Sequence, residues 1–175
     1  MSLATLTRTG RAAIAKAISA RPLHLAWGIG DPAWDAEDAE LPSLVDATAL
    51  FNEVGRRVPT SVGFVTPDDD GDIIIPKGRG TNDSVQEARY RRSDAPTPYL
   101  YVQISYEFKD AHSSVIRELG VFMDGVAVEG LPPGQRYFLP SEVAEPGLLL
   151  AAQILKPGIN RSPSVRQVID FVLPL

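Results

Sequence analysis

Tyr99-Leu100-Tyr101-Val102-Gln103-Ile104-Ser105-Tyr106-Glu107-Phe108 puts Leu100, Val102, Ile104, Tyr106 and Phe108 on one side of an extended chain. Tyr99, Tyr101, Gln103, Ser105 and Glu107 fall on the other. Period-two alternation in β-branched and aromatic residues reads as a strand. Downstream, residues 115–123 alternate as well, and Asp124-Gly125 is a hairpin signal into Val126-Ala127-Val128. Residues 148–155 and 165–173 read as the last two strands, forming a long antiparallel hairpin around Pro157-Gly158 and Ser162-Pro163. Upstream, 58–65 is a strand confined to an edge at Pro59, Asp68-Asp69-Asp70-Gly71-Asp72 is a turn, and Ile73-Ile74-Ile75 is a buried strand fragment. Residues 77–84 read as a flexible loop and 87–92 as a strand with an arginine-rich outer face.

The beginning of the chain differs. Thr9 supplies a capping oxygen to an alanine-rich helix over 12–20, with Ile14 and Ile18 on its packed face and Arg21-Pro22 ending it. Leu23, Leu25 and Trp27 then alternate with His24 and Ala26 as a half-buried strand, and an acidic loop runs to Pro42. Ser43 caps a second helix whose apolar face is Leu44, Ala47, Leu50, Phe51 and Val54. The expected fold is α+β: a mainly antiparallel, β-sandwich-like sheet with two N-terminal helices packed on it. It forms a single domain over 1–175, helical in 1–55 and β-rich in 56–175.

Hydrophobic residues make up 44% of the 175-residue chain and charged residues 22%, which excludes wholesale disorder. The net charge of -5 argues against a nucleic-acid partner. With no cysteine, disulfides, thiolate metal sites and cysteine nucleophiles are excluded together. No apolar run approaches the roughly 20 residues of a membrane span. Arg8, Arg11 and Lys16 make the start too polar for a signal-peptide core, so synthesis in the cytoplasm is expected.

Candidate chemistry is sparse. His24 and His112 are too few and too far apart for a histidine metal site and read as structural. From Asp68, the twelfth position of a calcium loop is Arg79 rather than glutamate, so the acidic run reads as a solvated turn. Gly28-Ile29-Gly30 lacks the third glycine of a dinucleotide loop, and in Lys77-Gly78-Arg79-Gly80-Thr81 the lysine precedes the glycines. No serine lies in a nucleophile elbow, and no spacing selects a carboxylate pair. We therefore expect no catalytic residue, no cofactor and no metal. The concentrated basic feature is Arg89, Tyr90, Arg91 and Arg92, which Arg56 and Arg57 would extend; it reads either as a charged sheet edge or as a docking surface for an acidic neighbour. Tyr99 and Tyr101, opposite the apolar face of their strand, need a second layer or a partner to cover them.

Three stretches, Leu6-Thr7-Arg8-Thr9-Gly10-Arg11-Ala12-Ala13-Ile14-Ala15-Lys16-Ala17, Leu23-His24-Leu25-Ala26-Trp27-Gly28-Ile29-Gly30-Asp31 and Val115-Ile116-Arg117-Glu118-Leu119-Gly120-Val121-Phe122, occur in this order. Together they resemble the N-terminal attachment region of bacteriophage tail-collar fibre and baseplate proteins. The resemblance carries over Thr9, Gly10, Ala13 and Ala17, then Trp27, Gly28 and Gly30, then Arg117, Glu118, Leu119, Gly120 and Phe122, mostly in architectural roles. It implies a structural virion protein of the tail, made in the host cytoplasm, partnered by other baseplate proteins and the tail fibre, and present in multiple symmetric copies. With no shaft after Leu175, the implied role is an adaptor that attaches fibres. The alternative from the residues alone is a soluble β-sandwich binding module for a carbohydrate or protein ligand, with Trp27, Trp34 or the tyrosines as platforms. Arg117 and Glu118 are adjacent on a strand, so they face opposite sides and each needs its own partner.

Overall fold

The structure, a computed structural model, describes residues 4–79, 85–111 and 113–175. Among these, one helix, α1 (Arg8–Ser19), precedes the strands β1 (Leu23–Gly28), β2 (Glu53–Arg57), β3 (Ser61–Pro67), β4 (Ile73–Arg79), β5 (Val85–Ser93), β6 (Tyr99–Tyr106), β7 (Val115–Met123), β8 (Val126–Ala127), β9 (Tyr137–Phe138), β10 (Val143–Glu145), β11 (Leu148–Asn160) and β12 (Gln167–Pro174). The strands form two five-stranded sheets, ordered β11-β7-β1-β2-β9 and β12-β6-β3-β5-β4, and a separate β8-β10 pair. The registered pairings are antiparallel. The chain divides into two compact units, one of Met1–Arg21, Thr60–Gln103 and Ile169–Leu175, the other of Pro22–Pro59 and Ile104–Val168.

In the first unit, Leu100 and Val102 of β6 are fully buried, and α1 packs against β3. The helix is capped by Thr7, whose side-chain oxygen accepts from the Gly10 amide at 3.0 Å, rather than by Thr9. Its buried position is Ala15, while Ile14 of the expected face is exposed. The Arg11 guanidinium reaches the Leu175 carbonyl at 2.8 Å, and the Leu175 amide donates to Pro98, which ties helix, β6 entry and chain end together.

In the second unit, β1 is buried along its whole length because β7 and β2 flank it and both its faces are covered. The indole of Trp27 stacks on Tyr106 at 3.3 Å, and the Tyr106 hydroxyl donates to the Leu25 carbonyl. On the opposite face the His24 ring meets Phe138 edge-on. β7, between β11 and β1, is likewise buried on both faces rather than alternating.

The second helix expected from Ser43 does not form: residues 44–52 are turns and bends, and Val54 belongs to β2. The cause is local. The Phe51 and Asn52 amides donate to the Glu118 carboxylate, not to helical carbonyls. Two hairpins are also redrawn. After Asp124-Gly125, β8 pairs with β10 instead of folding back on β7, whose neighbour on that side is β11. β11 and β12 do not pair with each other; β11 runs through Pro157-Gly158 by a register shift between Ile154 and Ile159, and β12 borders β6. Lys77 and Arg79, expected in a loop, lie in β4, and the rest of that stretch from residue 80 to 84 is outside the described residues. The strand through Phe108 ends at Tyr106, where a turn over 107–110 begins.

The cap assignment is testable by chemical denaturation. Thr7→Ala should lower stability by about 1 kcal/mol, the usual worth of a capping oxygen, whereas Thr9→Ala, at the second position of the helix, should be close to neutral.

Candidate assembly interface

The two β motifs are hydrogen-bonded neighbours. β1 and β7 pair with Trp27 opposite Leu119, Gly28 opposite Glu118 and His24 opposite Phe122. Arg117 and Glu118 leave β7 on opposite faces and find separate partners. Arg117 makes a bidentate ion pair with Asp35 at 3.0 and 2.7 Å and donates to the Ile29 carbonyl at 3.0 Å. Glu118 accepts from the Phe51 amide at 2.9 Å and the Asn52 amide at 2.7 Å. The Asn52 carbonyl in turn accepts from the Ile29 amide. Both ends of the long β1–β2 connection are therefore fastened to one dipeptide, and Lys156 holds its middle through the Ala36 and Glu37 carbonyls. Arg117 holds the Asp35 carboxyl below its ordinary range by hydrogen bonding, outweighing the opposing effect of desolvation.

Small residues make room for this clamp. A Cβ on Gly28 would lie 2.3 Å from a Glu118 oxygen and 2.6 Å from the Asn52 carbonyl. Gly30 has φ +54°, and the Trp34 ring occupies the space its Cβ would need. A Cβ on Gly120 would press on Leu50 and Leu149. The carried-over positions on β1 and β7 are thus architectural, as the resemblance implies.

Of the expected interface residues, Arg56 is only 2% exposed and is committed internally. It pairs with Glu53 in a bidentate geometry, donates to the Pro146 carbonyl and lies over the Phe122 ring at 4.1 Å. Arg57 pairs with the buried Asp110 at 2.7 Å, and Asp110 also accepts from the Glu107 amide. The same unit holds a mixed-charge groove of about 620 Å³ that includes Arg57, Glu107, Lys109, Asp110 and Arg136. Sequence reasoning missed it because its wall joins β2 to residues 107–110 and 132–142, segments with no shared motif.

In the other unit, Arg89, Tyr90, Arg91 and Arg92 lie together on β5, with both Tyr99 and Tyr101 nearby. The Tyr90 and Tyr99 rings are 5.8 Å apart, and Arg92 lies over Tyr101 at 4.7 Å. These two contacts gather Tyr90, Arg92, Tyr99 and Tyr101 around the apolar cluster of Val65 and Ile73. The Tyr101 hydroxyl donates to Asp170, and burial with this bond raises the phenol far above its usual range. Arg89 and Arg91 point away, exposed, with weak to moderate pairs to Glu87 and Asp68. Asp68 is used by its own turn, accepting from Asp70 and Gly71, as a solvated turn requires. Trp27 and Trp34 are both buried, so neither is an available stacking platform. His112 lies outside the described residues.

His24 is buried, and its Nδ1 has no hydrogen-bond partner. Burial, then the charge of Arg56, lowers its pKa to about 4. The unfolded chain takes up a proton near pH 6.5 while the folded chain refuses it until about 4. Stability should therefore be full above pH 6.5, fall as pH drops towards 4, and lose about 3 kcal/mol in total. Urea midpoints across this range should show the loss in the natural protein and less of it in His24→Phe. The clamp predicts a second result. Glu118→Ala strands two amides and frees residues 51–52, costing about 2–4 kcal/mol, and Gly28→Ala should cost a similar amount by displacing the same carboxylate. Calorimetric unfolding would measure both.

No curated protein matches this chain. A family model described as "Baseplate wedge 3 tail fiber network component" matches residues 3–175, which include all three motif stretches. The chain belongs to this family of bacteriophage baseplate and tail-fibre proteins and is a component of the phage tail.

Proposed function

We propose that this protein is a non-enzymatic joint that attaches a tail fibre to the baseplate, working in several symmetry-related copies with protein neighbours and without a nucleic-acid or membrane partner. The observation that carries this reading is the family match over residues 3–175. The clamp supports it. Arg117 and Glu118 are spent on fixing loops rather than held toward a substrate, which suits a part whose task is geometry. Exposed Arg89 and Arg91, on the edge-proximal β5, are the docking residues we assign to an acidic neighbour. Synthesis in the host cytoplasm precedes incorporation into the tail.

Quantitative mass spectrometry of purified particles should find the chain in a fixed ratio to the tail-tube protein, a whole multiple set by the tail's rotational symmetry. Deleting it should give particles without fibres or stalled tails. Arg89→Glu with Arg91→Glu should weaken fibre or baseplate capture roughly tenfold or more, about 1.4 kcal/mol per tenfold, without unfolding the protein. Fully fibred, infectious particles from the deletion would sink the attachment role.

A further inference from the structure

The groove beside β9 offers more donors than the protein itself uses. The three carboxylates that line it, Glu107, Asp110 and Glu142, all have internal partners. Asp110 accepts from Arg57 at 2.7 Å and from the Glu107 amide at 2.8 Å. Glu107 pairs with Arg166 at 2.9 Å. Glu142 accepts from the Leu139 amide at 2.8 Å and from Gln135 at 3.0 Å. The cations are not matched in the same way. Lys109 is exposed and has no ion pair or hydrogen bond among the described residues. Arg136, also exposed, spends one nitrogen on the Pro59 carbonyl at 2.6 Å and has no ion pair among the described residues. The backbone beside them is closed off. β9 is the outer strand of its sheet, but Gln135 donates to the Tyr137 carbonyl and Glu142 holds the Leu139 amide. These bonds take backbone groups that an added strand would use, so recognition falls to side chains. Next to the two cations, Pro132, Pro133, Tyr137 and Leu139 supply an apolar wall, with Leu139 48% exposed.

We propose that this groove receives an acidic segment of another tail protein, with carboxylates on Lys109 and Arg136 and an apolar side chain on Pro132, Pro133 and Tyr137. Unused donors beside satisfied acceptors select an anionic ligand over a cationic one. The carboxylates in the wall, and the net charge of -5, repel a polyanion of high charge density such as a nucleic acid; two cations among them suit isolated carboxylates. An extended protein segment carries alternate side chains on opposite sides, so it presents carboxylates and apolar groups together. The groove volume of about 620 Å³ is that of an ordinary ligand site. The site shares no residue with Arg89 and Arg91, so it adds a docking point that the attachment role neither supplies nor requires.

The test titrates the whole protein, by fluorescence polarisation, with capped fluorescent peptides of alternating glutamate and leucine and with their glutamine–leucine and lysine–leucine counterparts. The glutamate peptide should bind about tenfold more tightly than the glutamine one and lose affinity as salt is added. Lys109→Glu/Arg136→Glu should weaken it about tenfold and take up the lysine peptide instead. Lys109→Glu alone removes no internal bond, so it should weaken the glutamate peptide several-fold with an unchanged melting curve, which separates lost binding from lost folding. Amide NMR shifts on adding the peptide should fall on residues 107–110 and 132–142. No binding up to about 1 mM, affinity indifferent to the Lys109 reversal, or binding abolished only by Arg89→Glu/Arg91→Glu would overturn the proposal. Displacement of the peptide by a lower concentration of single-stranded oligonucleotide would overturn it by assigning the groove to a polyanion. Self-association of the protein that the Lys109 reversal abolishes would overturn it by assigning the groove to a second copy. Failure here leaves the attachment role standing; absence of the chain from particles removes that role and leaves the preference of the groove for an acidic peptide standing.

Discussion

Two neighbouring charges on β7 face opposite ways, and the second unit is arranged around that fact. A carboxylate as buried as Glu118 is tolerable only when its oxygens are satisfied, and two consecutive backbone amides satisfy them in a bidentate geometry. That requirement dictates the path of residues 50–52, keeps them from becoming helix, and demands a glycine at position 28 where the strand passes beneath. Arg117 does the same for the other end of the connection through Asp35 and Ile29. A long stretch with no strand of its own is thereby held in place without a hydrophobic core beneath each residue.

The same economy recurs nearby. Arg161 is buried, donates to the Glu107, Asp110 and Val165 carbonyls, and lies over the Trp27 ring. Asp110 receives Arg57 and the Glu107 amide. Buried charges here shape turns, and each is matched closely by backbone groups. His24 Nδ1 is the exception among the described residues. Burial and the charge of Arg56 keep that ring neutral down to about pH 4, whereas Arg117 holds Asp35 below its ordinary carboxylate range, so its contribution is lost only below that range.

The strands were legible where burial is one-sided or where apolar residues run on, as in β5, β6 and β7. The need of Arg117 and Glu118 for separate partners was also legible, because strand geometry alone demands it. What could not be read was pairing. An Asp-Gly turn announces a reversal, yet the edge of β7 was already taken by β11, so β8 had to find β10. The false second helix has the right apolar spacing, but Leu44, Ala47 and Leu50 line a groove beside Ile154 instead. Its signal was overridden by a carboxylate more than sixty residues away, which no local pattern carries. The Arg56–Arg57 extension of the basic patch failed to be read correctly for a related reason: adjacent arginines look alike in sequence, while burial against Phe122 and pairing with Asp110 decide what each is for.

The pairing of β1 with β7 joins residues 23–28 to residues 115–123. During synthesis the first of these strands leaves the ribosome long before its partner exists. Until β7 emerges, a strand destined for complete burial has only β2 to pair with and lacks both its second hydrogen-bonding edge and the carboxylate that orders the following loop. Such nonlocal closure slows folding and leaves apolar chain uncovered for a time. The nascent protein should thus be most dependent on chaperone protection in the interval between these two strands, and a truncation that ends before β7 should leave β1 as an aggregation-prone segment rather than a smaller folded protein.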